Sequence, residues 1–394
     1  MRLRHAAVKR SLGRIFLHHL RSSYFVEVNE HALAVLGRAL LGSEEDSSGR
    51  AMVERLASRG MVEEGPFEPI AERNASPLVA LEIEPVGRCN LECTHCFASF
   101  SGATMQDDAF AEVLRGAAAL GAIEITFNGG EPLLHPRCLE WIEAASAQKL
   151  RPLLFTNATL VTERVAQRLQ AAGVAKVTVS LDGFAKAHDS IRGPGAFRRA
   201  VKGITRLVTA GLCVHVTTMV TPDNETEVAS LHEYCRKTLG VSGVRTSTIA
   251  PMGRAASRPE LQLSPQQFQA VYREEPKKKP RAATGFLPCL AGVDKLYVSA
   301  AGDVHACHLF DGVGIPLGNV SRQPLASIYA IVPGVWYGRM LHAFDRADLY
   351  SCAKCLALAE CGGGCRARAW IMSGDPFGAD PIACRKRGIA VPAA

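Results

Sequence analysis

The sequence lacks any run of about 18 apolar residues, which excludes a membrane-spanning helix. It shows no secretory signal and no internal repeat, so cytoplasm is the expected compartment. An excess of either charge is nearly missing too: 45 basic against 38 acidic side chains leave +7 over 394 residues. That is too little to demand a nucleic-acid partner. With 47% hydrophobic and 21% charged residues, disordered, collagenous and low-complexity readings also fall away.

What the sequence does have is length for about two or three domains and thirteen cysteines. Thirteen is odd, and ten of them sit in two recognisable spacings. In a chain without a secretory signal, that usage reads as metal or iron–sulfur ligation before disulfides.

Residues 1–23 are rich in Arg, Lys and His, and no acidic residue precedes Glu27. Leu3, Ala7, Phe16 and Leu20 line one helical face, so a solvated basic helix is expected, with a targeting segment or a basic arm for an acidic peptide as alternatives. A short strand at 24–28 and two helices, through Leu36 and through Leu56, form a small unit that needs other surfaces to cover its apolar faces. Gly65-Pro66 to Ser76-Pro77 reads as a linker.

From 79 to about 250, short apolar runs at 79–83, 122–127, 151–155, 176–181, 213–220 and 244–249 alternate with helical stretches at 108–120, 139–149, 163–172, 196–209 and 226–239. This alternation predicts an α/β fold of right-handed units on a parallel sheet, open or partly closed as a six-unit barrel. Ligands would gather at the carboxyl ends of the strands. The expected divisions are 1–76, a core at 77–255, a linker at 256–288 carrying the basic run Lys277-Lys278-Lys279, and a Cys- and Gly-rich tail at 289–394.

After the first core strand come Cys89, Cys93 and Cys96, as Cys-x3-Cys-x2-Cys. Three thiolates so spaced can wrap one corner of a cubane cluster and leave its fourth iron open. They can equally serve as three zinc ligands with a distant fourth. Gly129-Gly130-Glu131-Pro132 ends the second strand, where amides and a carboxylate can hold an ammonium group; alone it is a tight turn. Ser180 and Asp182 point the same way at the end of the fourth strand, suited to ribose hydroxyls. Arg192, in His188-Asp-Ser-Ile-Arg-Gly193, can pair with a carboxylate as a fork.

In this order, over roughly 79–250, these motifs resemble the radical S-adenosylmethionine enzymes. The resemblance implies a [4Fe–4S] cluster on Cys89, Cys93 and Cys96, whose open iron chelates the amino and carboxylate groups of S-adenosylmethionine. It implies that His95 meets adenine, that Gly129, Gly130 and Glu131 hold the methionyl ammonium, that Ser180 and Asp182 hold the ribose, and that Arg192 meets the carboxylate.

The tail carries Cys289, Cys307, then Cys352-x2-Cys355-x5-Cys361-x3-Cys365 and finally Cys384. Two zinc sites would need an eighth ligand. Gly362-Gly363-Gly364 supplies permissive backbone for wrapping thiolates around one body. The arrangement resembles the SPASM extension of peptide-modifying enzymes, which implies two auxiliary iron–sulfur clusters. By that resemblance Cys352, Cys355, Cys361 and Cys384 ligate the distal cluster, and Cys289, Cys307 and Cys365 the proximal one. Some relatives carry a further cysteine just before the first; 236–288 contain none, which implies an open proximal iron. Cys138, Cys213 and Cys235 are expected to pack as small hydrophobes.

The tail resembles maturases that install thioether crosslinks in ribosomally made peptides, and 24–65 is similar to the small winged-helix-like domains that grip a leader peptide. The implied partners are a precursor peptide, held through its leader, and an external electron donor of flavodoxin or ferredoxin type. Sulfatase-maturing relatives carry Asp where this chain has His308, a candidate proton acceptor beside Cys307. Radical chemistry on a small molecule in haem-like cofactor synthesis is the alternative, and a non-catalytic electron carrier or zinc protein is the rival outside catalysis.

Overall fold

The computed structural model describes residues 2–3, 6–11, 14–19, 25–41, 47–66, 76, 78–98, 100–272, 289, 291–313, 316–331 and 350–391. Most of the expected 65–77 linker and the Lys277–279 run lie outside the described residues.

The N-terminal residues pair as strands, which corrects the expected basic helix. Strands β1 (Arg2–Leu3), β2 (Ala6–Ser11), β3 (Arg14–His19) and β4 (Phe25–Val28) precede helices α1 (Glu30–Leu40) and α2 (Ser47–Ala57) and strand β5 (Val62–Glu63). An antiparallel sheet of order β2-β3-β4 forms, with Val8 opposite Leu17, and β1 pairs with β5. The reason is a period of two: Ile15 and Leu17 share one face and are buried with Val8 against Leu36, Leu40, Val53 and Leu56. The unit therefore has a core of its own, and its sheet and helices cover each other.

The core alternates as the apolar runs predict. Strands β6 (Ala80–Ile83), β7 (Glu124–Phe127), β8 (Arg151–Thr156), β9 (Lys176–Ser180), β10 (Val214–Val220) and β11 (Gly243–Thr248) are all parallel to their neighbours. Between them run α3 (Asp107–Ala119), α4 (Cys138–Ala147), α5 (Glu163–Ala171), α6 (Ala185–Arg192), α7 (Ala196–Thr209) and α8 (Val228–Lys237). Helix α6 lay hidden in sequence because it is short and follows directly on the motif at Asp182.

The sheet does not stop at six strands. Strand β12 (Lys295–Val298) from the tail adds in parallel to β6, and β13 (Asp303–His305) and β14 (Gly318–Asn319) follow antiparallel. The order is β11-β10-β9-β8-β7-β6-β12-β13-β14, an open sheet. Leu81, Ile83, Ile125, Phe127, Val177, Val179, Val214 and Val216 are fully buried beneath the helices, and Leu296 and Val298 of β12 join the same core. The tail is thus welded to the strand that launches Cys89, Cys93 and Cys96.

The expected linker is partly built as well. Helix α9 (Pro265–Tyr272) buries Phe268 and Tyr272 with Leu263 against Val220, Val228 and Ile382. Those apolar residues were outweighed in sequence by the neighbouring Pro and Lys. Among the described residues no helix is long and apolar enough to cross a membrane.

Candidate functional site

The loop carrying Cys89, Cys93 and Cys96 leaves the carboxyl end of β6 and is pinned from several sides. Thr94 N donates to Ile191 O (2.9 Å), Arg254 N to Cys96 O (2.9 Å) and Arg254 Nη1 to Cys93 O (2.9 Å). Asn157, just past β8, donates through Nδ2 to Asn90 Oδ1 (2.9 Å) and to Cys89 Sγ (3.7 Å). Sequence reasoning missed both Arg254 and Asn157, since neither belongs to a spacing motif.

The Gly129-Gly130-Glu131 turn lies flush against this loop. A Cβ on Gly130 would come within 1.9 Å of Arg88 O, and one on Gly129, at φ 113°, within 2.4 Å of Glu84 Cγ. Glu131 N donates to Arg88 O (3.0 Å), so glycine is required for two backbones to touch there. The Glu131 side chain is fully buried and accepts from Thr156 Oγ1 (2.8 Å) and Asn157 N (2.8 Å). Burial pushes its carboxyl up to about 7 against those hydrogen bonds.

Asp182 is engaged by the protein rather than open to a ligand. It is fully buried; Oδ1 accepts from Met219 N (2.8 Å), and Oδ2 from Arg192 Nε (2.5 Å) and His95 Nε2 (2.9 Å). Burial opposes ionisation, yet Arg192 and His95 hold this carboxyl well below the usual range, so it accepts and His95 donates. Arg192 Nη1 also reaches Cys93 Sγ (3.7 Å). The expected ribose contact of Asp182 and the expected carboxylate contact of Arg192 thus meet side chains already committed to each other. Ser180 ends β9 and is half-buried.

None of the thirteen cysteines is joined to another as a disulfide. Cys89 is pushed up to about 11 by burial and then by Glu131, Cys93 and Cys96, so these three sulfurs feel one another. In the tail, burial followed by Cys289 and Cys365 raises Cys307 to about 12. Burial followed by Cys352, Cys361, Asp380 and Cys355 raises Cys384 to about 11. Two groups therefore form, 289/307/365 and 352/355/361/384, and the second lines one cavity. Among the described residues no three Cys, His, Asp or Glu side chains converge on a single-ion site. Zinc needs its sulfurs at about 2.3 Å from one point; thiols set around the walls of one cavity, as Cys352, Cys355, Cys361 and Cys384 are, fit a cluster, in which separate irons take separate thiolates. Burial of Cys138 and Cys235 among core side chains leaves them apart from both groups.

His308 begins the short helix α10 (His308–Asp311), immediately after Cys307. Its Nδ1 lies 3.1 Å from Glu82 Oε2, and its ring meets Phe97 at 5.4 Å. Burial works against the Glu82 charge, but His308 and Asn128 lower its carboxyl overall. With Gly129, Tyr297 and Asp311, these two rings wall a cavity between core and tail. Its lining joins Gly129 of the Gly-Gly-Glu turn to His308, the neighbour of Cys307 in the tail.

Residues 83–235 match the Radical SAM superfamily, and 289–356 match SPASM, an iron-sulfur cluster-binding domain. An AdoMet-dependent heme synthase of Nitratidesulfovibrio vulgaris is 28% identical over 363 residues, covering 81% of this chain and 95% of its own. The mycofactocin maturase MftC of Mycobacterium tuberculosis is 27% identical over 341 residues, covering 79% and 84%. The fold is similar to Streptococcus suis SuiB bound to precursor peptide SuiA, with TM-score 0.71, 15% identity and coverage of 96% of this chain and 98% of that one. The two matched domains bring a [4Fe–4S] cluster with S-adenosylmethionine and auxiliary iron–sulfur clusters as cofactors. The chain therefore belongs to the radical S-adenosylmethionine enzymes that carry a C-terminal SPASM domain.

Proposed function

We propose that this enzyme matures a ribosomally made precursor peptide, removing hydrogen from a peptide carbon and closing a thioether or carbon–carbon crosslink. The observation that carries this reading is the reach of the likeness to peptide-bound SuiB. It leaves out only 4% of this chain, so the N-terminal sheet-and-helix unit is largely inside it. Strands β2 and β4 are the edges of that small sheet, and a leader peptide can add to such an edge through main-chain hydrogen bonds.

Cys89, Cys93 and Cys96 are the proposed ligands of the first cluster, with Cys352, Cys355, Cys361 and Cys384 for the distal auxiliary cluster and Cys289, Cys307 and Cys365 for the proximal one. Bound cluster and S-adenosylmethionine supply a hydrogen-abstracting 5′-deoxyadenosyl radical, the hard step that no side chain can perform. The protein's own share is orientation. Gly129, Gly130 and Glu131 hold the methionyl ammonium, and Ser180 meets the ribose. His95 lies near adenine, its ring fixed by Asp182, while Arg192 braces Cys93. His308, hydrogen-bonded to Glu82, takes a proton from the substrate in the cavity it walls. The electron donor is a flavodoxin- or ferredoxin-type protein, and ten cysteines spaced for cluster ligation suit a reducing cytoplasm.

The test is anaerobic reconstitution with iron and sulfide, followed by S-adenosylmethionine, dithionite and the precursor peptide encoded nearest the gene. A product lighter by two hydrogens, with 5′-deoxyadenosine alongside, supports the reading. Deoxyadenosine with an unchanged peptide rules that peptide out. The second reading, a small haem-like precursor as substrate, is favoured by the 28% identity to heme synthases and is tried next in the same assay.

A further inference from the structure

Arg366 follows Cys365, opens the helix Arg366–Ser373 and is completely buried, with 0% of its surface exposed. Removing a guanidinium from water is costly unless an anion and hydrogen-bond acceptors replace the water. Only part of that requirement is met. Nη1 donates to Pro376 O and Gly378 O, each at 2.9 Å, and Nη2 to Gly363 O. Among the described residues Nε finds no acceptor.

The nearby carboxylate is spent elsewhere. Asp380 Oδ2 takes Arg368 Nη2 (2.6 Å) and Cys365 N (2.8 Å), and Oδ1 takes Ile382 N (3.1 Å). Among the described residues Arg366 forms no ion pair, yet a guanidinium stays charged at any working pH. Burial weakens that charge most, while Asp380 and the thiols of Cys352, Cys289 and Cys365 sustain it. Gly363, whose carbonyl accepts from Nη2, lines the cavity of Cys352, Cys355, Cys361 and Cys384, while Cys365 just before Arg366 belongs to the other group, so the cation stands between the two.

We propose that Arg366 is the shared counter-cation of the two auxiliary clusters, its idle Nε–H donating to a cluster sulfur. The proposal rests on the ligand sets given above. A cluster held by thiolates gains negative charge on reduction, and its potential responds to net charge and to hydrogen bonds at sulfur. A permanent cation in a medium of low dielectric favours the reduced form of both neighbours. Arg366 thereby makes both auxiliary sites easier to reduce, and it satisfies its own orphan donor in doing so.

The test uses the full chain labelled with ¹⁵N-arginine, reconstituted with iron and sulfide and reduced with dithionite. Pulsed electron paramagnetic resonance reads nitrogen coupling, and a redox titration reads the potentials. Arg387 lines the distal cavity, so only coupling lost on substitution counts. The expected result is an arginine coupling on an auxiliary cluster that vanishes in R366K, with potentials displaced to more negative values in R366Q and less so in R366K. Full iron without such coupling, or R366Q titrating as wild type, overturns the proposal. If R366Q fails to retain auxiliary iron, the wild-type coupling and its fate in R366K decide the matter. Wild-type protein that binds iron only at the first site overturns the ligand sets, and the proposal with them, and the iron count distinguishes that failure.

Discussion

Arg192 Nε lies 2.5 Å from Asp182 Oδ2, and neither group sees much water: Asp182 is 0% exposed and Arg192 8%. A pair so placed contributes little net stability but is expensive to halve. Asp182→Ala strands the Arg192 charge, frees Met219 N and releases His95. We expect a loss of roughly 3–5 kcal/mol in urea unfolding, whereas Asp182→Asn loses less because its shape and one acceptor survive. Equal losses for the two variants would show that the surviving shape and acceptor contribute nothing and that the lost charge alone sets the cost.

Much of this arrangement was legible in sequence, and the part that was not has a common cause. The parallel alternation was readable because each strand is a short apolar run between helices, and the cysteine groups because ligation demands fixed spacings. Asp182 and Arg192 were singled out from their motifs, but as ligand contacts. That they meet each other depends on α6 folding back from β9 across ten residues, which no spacing records. The same holds for Asn157 and for β12, whose pairing with β6 joins residues far apart in the chain. At the N-terminus a loose helical stripe competes with the alternation of Ile15 and Leu17, and the period of two prevails in a hairpin.

Gly130→Ala tests the contact between the Gly-Gly-Glu turn and the cysteine loop. The added carbon would lie 1.9 Å from Arg88 O, a backbone atom that cannot move without carrying Cys89 with it. S-adenosylmethionine binding, measured by equilibrium dialysis on reconstituted protein, should fall at least about tenfold, or roughly 1.4 kcal/mol. Gly37→Ala in α1 meets nothing within 4 Å and should instead stabilise the chain by about 0.5–1 kcal/mol. Wild-type binding in G130A would mean that the turn can shift independently.

His188 sets a pH dependence. Its Nδ1 accepts from Asp182 N (3.0 Å), and burial, against the pull of Asp182, lowers its pKa to about 4. The unfolded chain takes up this proton near pH ~6.5. The folded form is therefore favoured above that value, and the advantage is lost as pH falls from about 6.5 through 4, by about 3 kcal/mol in all. The unfolding free energy of wild type minus that of His188→Asn should be flat above pH ~7 and shrink toward pH ~4. A difference independent of pH would remove His188 from the account.

Two cysteine substitutions separate ligation from packing. Cys384 shares a cavity with Cys352, Cys355 and Cys361, while Cys235 is fully buried on α8 in the core formed by Leu231, Val214 and Val216. Cys384→Ala removes one of four proposed thiolates, and a cluster left with three is readily lost. Iron and sulfide per chain should drop by up to one cluster, with the remaining cluster signals intact. Cys235→Ala removes only a small, inert side chain, whose high pKa of about 11, set by burial, keeps it a thiol. It should cost about 1 kcal/mol in stability and leave iron content unchanged. Iron lost from C235A, or retained in full by C384A, would contradict the division between the two classes. Because both variants delete the same atom, the contrast between them does not depend on how the protein is reconstituted.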